Sequence, residues 1–227
     1  MEKDRDLVIV GDSAFAEVAY EYFTHDSKYN VVGFAVESKF MTRQCLFDLP
    51  VVPLERIEEF YSPQSVDFYA AIVYSKLNRL RARLYEQCKA KGYAPASYIS
   101  SKAFVWRNAV IGEHCFIFEN NTVQPFVRIG DNVVLWSGNH IGHHSTIDNH
   151  CFISSQVVIS GFCNVGRHTF MGVNSTVGNN VNIGESNWIG PGVSITGDTE
   201  ADKLFGGAKS EPAKVSARRF FKVSADQ

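Results

Sequence analysis

From residue 99 onward a single spacing organises the chain. Stepping by six from Ile99 to Ile195 meets an aliphatic residue or methionine at each of seventeen positions, without an insertion. The next residue is often glycine, as at Gly112, Gly130, Gly142, Gly172 and Gly184. Four places after the aliphatic residue sits a mostly small or β-branched one, including Cys115, Val133, Ser145, Cys151, Cys163 and Ser175. A six-residue period of this kind is the hexapeptide repeat of a parallel β-helix. Each hexad predicts one short strand and one turn, and three hexads close a triangular coil. The aliphatic residue points into the prism and the small residue fits the corner beside it. Seventeen hexads give between five and six coils.

Residues 1–98 carry a different pattern. "LVIVG" (7–11) is a continuous apolar run ending in glycine, as a buried parallel strand requires. Ser13 to Phe23 reads as a helix, "YNVVGFAVE" (29–37) as a second strand, and "LPVVP" (49–53) leads into a short helix with Ile57 and Phe60. "DFYAAIVY" (67–74) is a further strand. In the helix after it, Leu77, Leu80, Leu84 and Cys88 share a face, with Gly92 at the stop. Strands alternating with helices predict a small Rossmann-like α/β domain over 1–98, running without a linker into a β-helix domain over 99–227. The tail "EPAKVSARRFFKV" leaves the period and is expected to close the last coil as a strand or short helix.

Charge excludes some partners. Lysine plus arginine is 22 and aspartate plus glutamate 24, for a net charge of −2. No strong field points to nucleic acid or a membrane surface. No basic segment precedes an apolar run and no 18-residue apolar stretch exists, so neither a signal peptide nor membrane insertion is expected, and the cytoplasm is the expected setting. The five cysteines, Cys45, Cys88, Cys115, Cys151 and Cys163, are scattered without a CxxC pair. They read as reduced thiols, three of them as core filler of the prism.

Two places carry candidate chemistry. The first βα turn, "GDSAFAE", presents Gly11, Asp12 and Ser13 before a helix start, where backbone N–H groups can meet a phosphate. It lacks the later glycines of the dinucleotide fingerprint, so a nucleotide diphosphate suits it better than NAD, with Glu37 at the end of the second strand near base or ribose. Tyr74, Ser75 and Lys76 are further candidates for nucleotide contact. The second place is "NHIGHHSTIDNHCFISS" (139–155), with four of the seven histidines. His140, His143 and His144 could be metal ligands, structural polar residues, or include a general base, since an imidazole near neutrality suits removal of a proton from an amine or hydroxyl. Against metal, consecutive His143 and His144 diverge on an extended chain. His114, His150 and His168 read as outward polar residues at corners.

These segments resemble the bacterial nucleotide-sugar acetyltransferases of the PglD / NeuD (sialic acid O-acyltransferase-type) family. The resemblance rests on "VIVGDSAFAEVA", "VVGFAVE", "LPVV" and above all "IGHHSTIDNHCFISSQVVISGFCNVGRHTFMGVNSTVGNNVNIG", and covers nearly the whole chain. It implies a left-handed β-helix, a homotrimer, acetyl-CoA as acyl donor with no metal, and a nucleotide-linked amino sugar as acceptor in bacterial glycan synthesis. It implies His143 as general base for direct attack of the amine on the thioester, so Cys151 is not needed as a nucleophile. Where PglD-type members have a glutamate beside that histidine, this chain has His144. The orienting acid would then be Asp148 or one from a neighbouring subunit. Phe152 stands where PglD has a histidine that meets the thioester, and Trp136 where it has an asparagine, with Asn139 close by as a polar substitute. The coenzyme would run between two β-helices past Gly161, Val173, Gly190 and Gly192, with the Gly161 N–H facing the oxyanion and Lys209 or Lys214 a phosphate. The rivals are O-acetyl transfer to a sugar or sialic acid hydroxyl, a metal-dependent β-helix hydratase, and a non-catalytic trimeric binding module.

Overall fold

The computed structural model describes residues 2–224. The N-terminal sheet is built from β1 (Arg5–Val10), β2 (Tyr29–Val36), β3 (Cys45–Leu46), β4 (Leu49–Pro53) and β5 (Val66–Ala70), in the order β3-β4-β2-β1-β5. All pairs are parallel except β3 with β4. Helices α1 (Ala14–His25) and α2 (Arg79–Ala90) pack on it. Leu7, Val8, Ile9 and Val10 are all buried, the mark of a strand covered on both faces.

Two expectations shift here. The last strand ends at Ala70 rather than Tyr74, and Leu77 lies before α2 rather than in it. Lys76, Leu77 and Asn78 all take left-handed φ angles of 52°, 50° and 63°, which no helix tolerates. The turn drives Asn78 into the interior, where its amide reaches the Thr169 carbonyl across the junction.

From Tyr98 the chain winds as seventeen two-residue strands, β6 (Tyr98–Ile99) through β22 (Ser194–Ile195), one every six residues. They stack in parallel into three faces, each strand pairing with those eighteen residues away. The second residue of each strand lines the prism, and these side chains are buried from Ile117 to Ile195. Ile99 is exposed because no coil lies beneath it. The cysteines at the small position seat their thiols on carbonyls of the same corner one coil on, Cys151 on Gly166 O at 3.3 Å and Cys163 on Gly178 O at 3.0 Å. Burial pushes the Cys151 thiol up to about 12, so it is inert filler. Gly142 is required by the stacking itself: a Cβ there would lie 2.5 Å from the Ser160 carbonyl carbon.

The last coil is closed by β23 (Leu204–Phe205), paired with Trp188–Ile189, and not by "EPAKVSARRFFKV". Phe205 takes the inward position over the prism, so the residues after it have no core left to cover. They are exposed, with a single helical turn, α3 (Ala217–Phe220).

One face of the prism is not solvent-facing. Its outward residues Tyr98, Phe116, Val134, Phe152 and Phe170 are buried in one cluster with Phe15, Phe23 and Tyr69 of the N-terminal sheet and α1. The two halves thus share a core. His114, expected to point outward, is fully buried at this junction, where its Nε2 accepts the Ala70 N–H at 2.8 Å. Arg81 of α2 is equally buried and donates to the carbonyls of Asn132 (2.7 Å) and Cys151 (3.1 Å).

Candidate active site

The prism has three corners, and each hexad turn from His114 to Gly192 holds one residue in the left-handed region, at Phe126, His144, His150, Phe162 and His168 among others. His143 and His144 occupy the corner after the strand His140–Ile141. Both are exposed. Their Nδ1 atoms approach to 3.1 Å. The His144 ring is stacked between Phe126, at 4.5 Å, and Phe162, at 4.9 Å, its counterparts one coil below and above. The His143 backbone N–H donates to Gln124 Oε1, and its ring lies over Gly161, where any Cβ would come within 2.9 Å of Cε1. Gly161 is therefore what gives the imidazole its place.

Asp148 does not orient this ring. It follows the next strand, Thr146–Ile147, one prism side away, and the histidine ion pair among the described residues is His25 with Glu21. His140 points outward from its strand, and among the described residues no group of three or more His, Cys, Asp or Glu side chains is arranged to hold a metal ion.

A second feature lies at the preceding corner. Val73, Tyr74, Trp136, Phe152, Ser154, Phe170, Val173 and Trp188 line a cavity of about 350 Å³ between the β-helix and the N-terminal domain. Phe170 stacks on Trp188 at 4.0 Å, and Tyr74 leans on both at 4.4 and 5.6 Å. Val173, Phe152 and Trp136 from the expected coenzyme and acceptor sets meet here, together with Tyr74, which was expected at the nucleotide. Sequence reasoning missed Trp188 and Phe170. One hexad spans at most about 20 Å of extended chain, and it separates this cavity from His143 on the prism surface.

Several other expected contacts are already occupied. The Gly161 N–H donates to Asn179 Oδ1 at 3.0 Å, so it reaches an oxyanion only if that amide turns away. Asn139 is buried, giving its amide to Trp136 O and accepting the Val157 N–H at 2.8 Å, which leaves it nothing for a substrate. Gly190 donates to Phe205 O at 2.8 Å beneath the closing strand. Gly192, with φ 68°, has open space beside it. Lys209 and Lys214 sit in the exposed tail.

The third feature is in the N-terminal domain. Gly11, Asp12, Ser13 and Glu37 line a cavity of about 150 Å³ whose floor is apolar, with Val10, Leu54, Ile72 and Leu84. Gly11 has φ 120°, and a side chain there would press on the Ala71 carbonyl. Ser13 caps α1 without a side-chain hydrogen bond, so its hydroxyl is free at the helix N-terminus. Glu37 is held in a fork by Arg83 at 2.7 and 3.1 Å. Arg43, not foreseen, reaches toward Asp12 at 3.6 Å and Glu17 at 3.9 Å and supplies a cation beside the loop. Ser75 and Lys76 do not line this cavity. Their neighbours Tyr74 and Asn78 meet the β-helix, at Phe170 and the Thr169 carbonyl.

The family model described as bacterial transferase hexapeptide (six repeats) matches residues 108–143. No curated protein matches the chain in sequence. Among solved structures, the acetyltransferase domain of PglB from Neisseria gonorrhoeae is similar at 21% identity and TM-score 0.80, over 92% of this chain and 100% of that one. A mutant perosamine N-acetyltransferase from Caulobacter crescentus, in complex with CoA and GDP-perosamine, is similar at 21% identity and TM-score 0.79, over 89% and 93%. WeeI from Acinetobacter baumannii is similar at 15% identity and TM-score 0.69, over 90% and 97%. Likeness at these identities is likeness of fold. The fold is the one the sequence implied, a Rossmann-like α/β domain followed by a left-handed hexapeptide β-helix.

Proposed function

We propose that this protein moves the acetyl group of acetyl-CoA to the amino group of a nucleotide-linked amino sugar, with His143 as general base. The observation that carries the reading is the exposed His143 imidazole, tied at Nδ1 and cleared by Gly161, so that Nε2 is the edge left for a proton. The amine nitrogen attacks the thioester carbonyl, a C–N bond forms, and the C–S bond breaks. The amine proton passes to His143 Nε2 and from there to the departing thiolate. Support comes also from structures of the same fold of a perosamine N-acetyltransferase in complex with CoA and GDP-perosamine.

In this reading residues 1–98 hold the nucleotide and residues 99–227 the chemistry, in a cytoplasmic enzyme of surface-glycan synthesis. The cavity beside Gly11 and Ser13 is below the usual ~300–1,000 Å³ of a ligand pocket and suits one base or ribose end, with the rest of the donor extending outward. The working form is a homotrimer. His143 and the aromatic cavity sit on different corners of one chain, and Phe126 and Phe162 are half or more exposed beside His143. A second copy laid on that corner would cover both phenyl rings and set its own aromatic cavity against His143.

The test is thiol release from acetyl-CoA with a panel of amino-sugar nucleotides. Turnover on an amine names the substrate, and turnover on hydroxyl acceptors alone replaces N- by O-transfer. The shared site is tested by mixing His143→Ala with Trp188→Ala and reassembling. Recovered activity in mixed trimers supports it, and two dead variants that stay dead together, with a monomer in sedimentation, overturn it.

A further inference from the structure

His143 and His144 turn their Nδ1 atoms toward each other at 3.1 Å. Two bare lone pairs at that distance repel, and two N–H groups cannot share it, so one proton lies between the rings. The pair is then a single donor–acceptor unit. With the proton on His143, its Nε2 keeps a bare lone pair and can take a proton. With the proton on His144, His143 would present Nε2–H and could not.

The setting fixes the place of the His144 ring. Its backbone is in the left-handed region at φ 59°, and its ring is clamped flat between Phe126 and Phe162, with interplanar angles of 27° and 19°. The Phe162 ring also meets His143 edge-on at 5.0 Å. The strands flanking this corner carry only His140 and Arg128 as titratable outward residues, and neither is an anion. The side chain on the His143 backbone N–H is the neutral Gln124.

We infer that His144 is a positioning residue that accepts the hydrogen bond of His143 Nδ1–H, so that the base of this site is an imidazole pair with no carboxylate behind it. The kinetic side of this rests on the acetyl-transfer reading, and the structural side does not. When His143 takes the amine proton at Nε2, the Nδ1–H···Nδ1 bond becomes charge-assisted. The positive charge is supported by a ring lone pair rather than by an anion.

Three variants separate positioning from packing. His144→Phe keeps the stack and removes the acceptor, so kcat should fall about 10- to 100-fold with KM little changed. His144→Asn restores an acceptor on a residue that tolerates left-handed φ, and should recover most of that loss. His144→Glu should move the acidic limb of the kcat/KM profile upward by about 1 pH unit or more. Independently of activity, nitrogen-15 spectra of the histidines should show His143 protonated at Nδ1 in the wild type and a mixture of tautomers in His144→Phe. Wild-type kcat, pH profile and tautomer in His144→Phe would overturn the inference and leave His144 as stacking alone. A tautomer that responds to His144→Phe in a protein that acetylates no amine would keep the pair and discard the acetyl-transfer reading.

Discussion

Histidines stand at two corners of this prism, on the same kind of backbone, and they have opposite fates. His114, His150 and His168 stand one above another at one corner, and His144 stands at another. All four hold left-handed φ angles between 56° and 63°. At the first corner the N-terminal domain covers the rings. His114 accepts the Ala70 N–H at Nε2, which fixes its proton on Nδ1 for Asn132 Oδ1 at 2.9 Å. The Asn132 amide in turn donates to His150 Nδ1 at 2.9 Å. His150 stacks on His168 at 4.8 Å. Both ring nitrogens of His114 and the Nδ1 of His150 have partners in this relay. At the other corner nothing from the N-terminal domain arrives, and His143 keeps a free edge. The hexad supplies the slot; what covers it decides whether an imidazole is mortar or reagent.

The comparison breaks first at His143. His143→Ala should lower kcat/KM for acetyl transfer at least 100-fold, about 2.7 kcal/mol of barrier, while the urea midpoint stays near the wild type because the ring is exposed. An unchanged rate would remove His143 from the chemistry. His114→Ala should do the reverse. It leaves the buried Ala70 N–H without an acceptor, which costs about 1–3 kcal/mol of stability, with kcat per folded protein unchanged. Equal stability of the variant would mean that the relay is not structural.

Acid sharpens the contrast further. Burial, with smaller charge effects from neighbours including Arg81, pushes His114 down to about 3, and burial with His168 and Arg81 pushes His150 down to about 4. Both lie below the roughly 6.5 of an unfolded histidine, so the unfolded chain binds protons first. Stability is therefore full above about pH 6.5, falls as pH drops below it, and keeps falling to about pH 4 for His150 and about pH 3 for His114. Urea midpoints measured from pH 8 to 4 should show this slope, and His114→Asn should flatten it. The smallest effect is expected at the top of the column. His168→Asn keeps a residue at ease in left-handed φ, and should change stability by no more than about 0.5 kcal/mol.

The prism was legible because its code is local: one aliphatic residue per six, with no long-range choice to make. A second signal in the same residues went unused. Tyr98, Phe116, Val134, Phe152, Phe170 and Trp188 repeat every eighteen residues just before the inward position, and an apolar outward position on every third hexad says that this face is covered. Read so, Phe152 belongs to the domain junction before it belongs to a coenzyme. The sealed contacts were harder. Whether Asn139 or the Gly161 N–H is free depends on a side chain or backbone eighteen residues on, Asn179 in one case and Val157 in the other. Composition and spacing place those neighbours but do not say which way an amide points. Likewise the shift of Tyr74 from the nucleotide to the aromatic cavity follows from three left-handed residues that are not glycine, Lys76 to Asn78, where sequence gives no warning.

The stacking of coils also gives the chain a reading frame. One face docks the N-terminal domain, and the corner between the other two carries the histidine pair. Inserting or deleting six residues would leave the prism core intact and every hexad in register, yet turn everything downstream by a third of a revolution. Phe170 and Trp188 would then face water, and the histidine pair and aromatic cavity would lose their alignment. Only changes of eighteen are silent. The protein can therefore lengthen by whole coils without relearning its chemistry, and a single hexad is its equivalent of a frameshift.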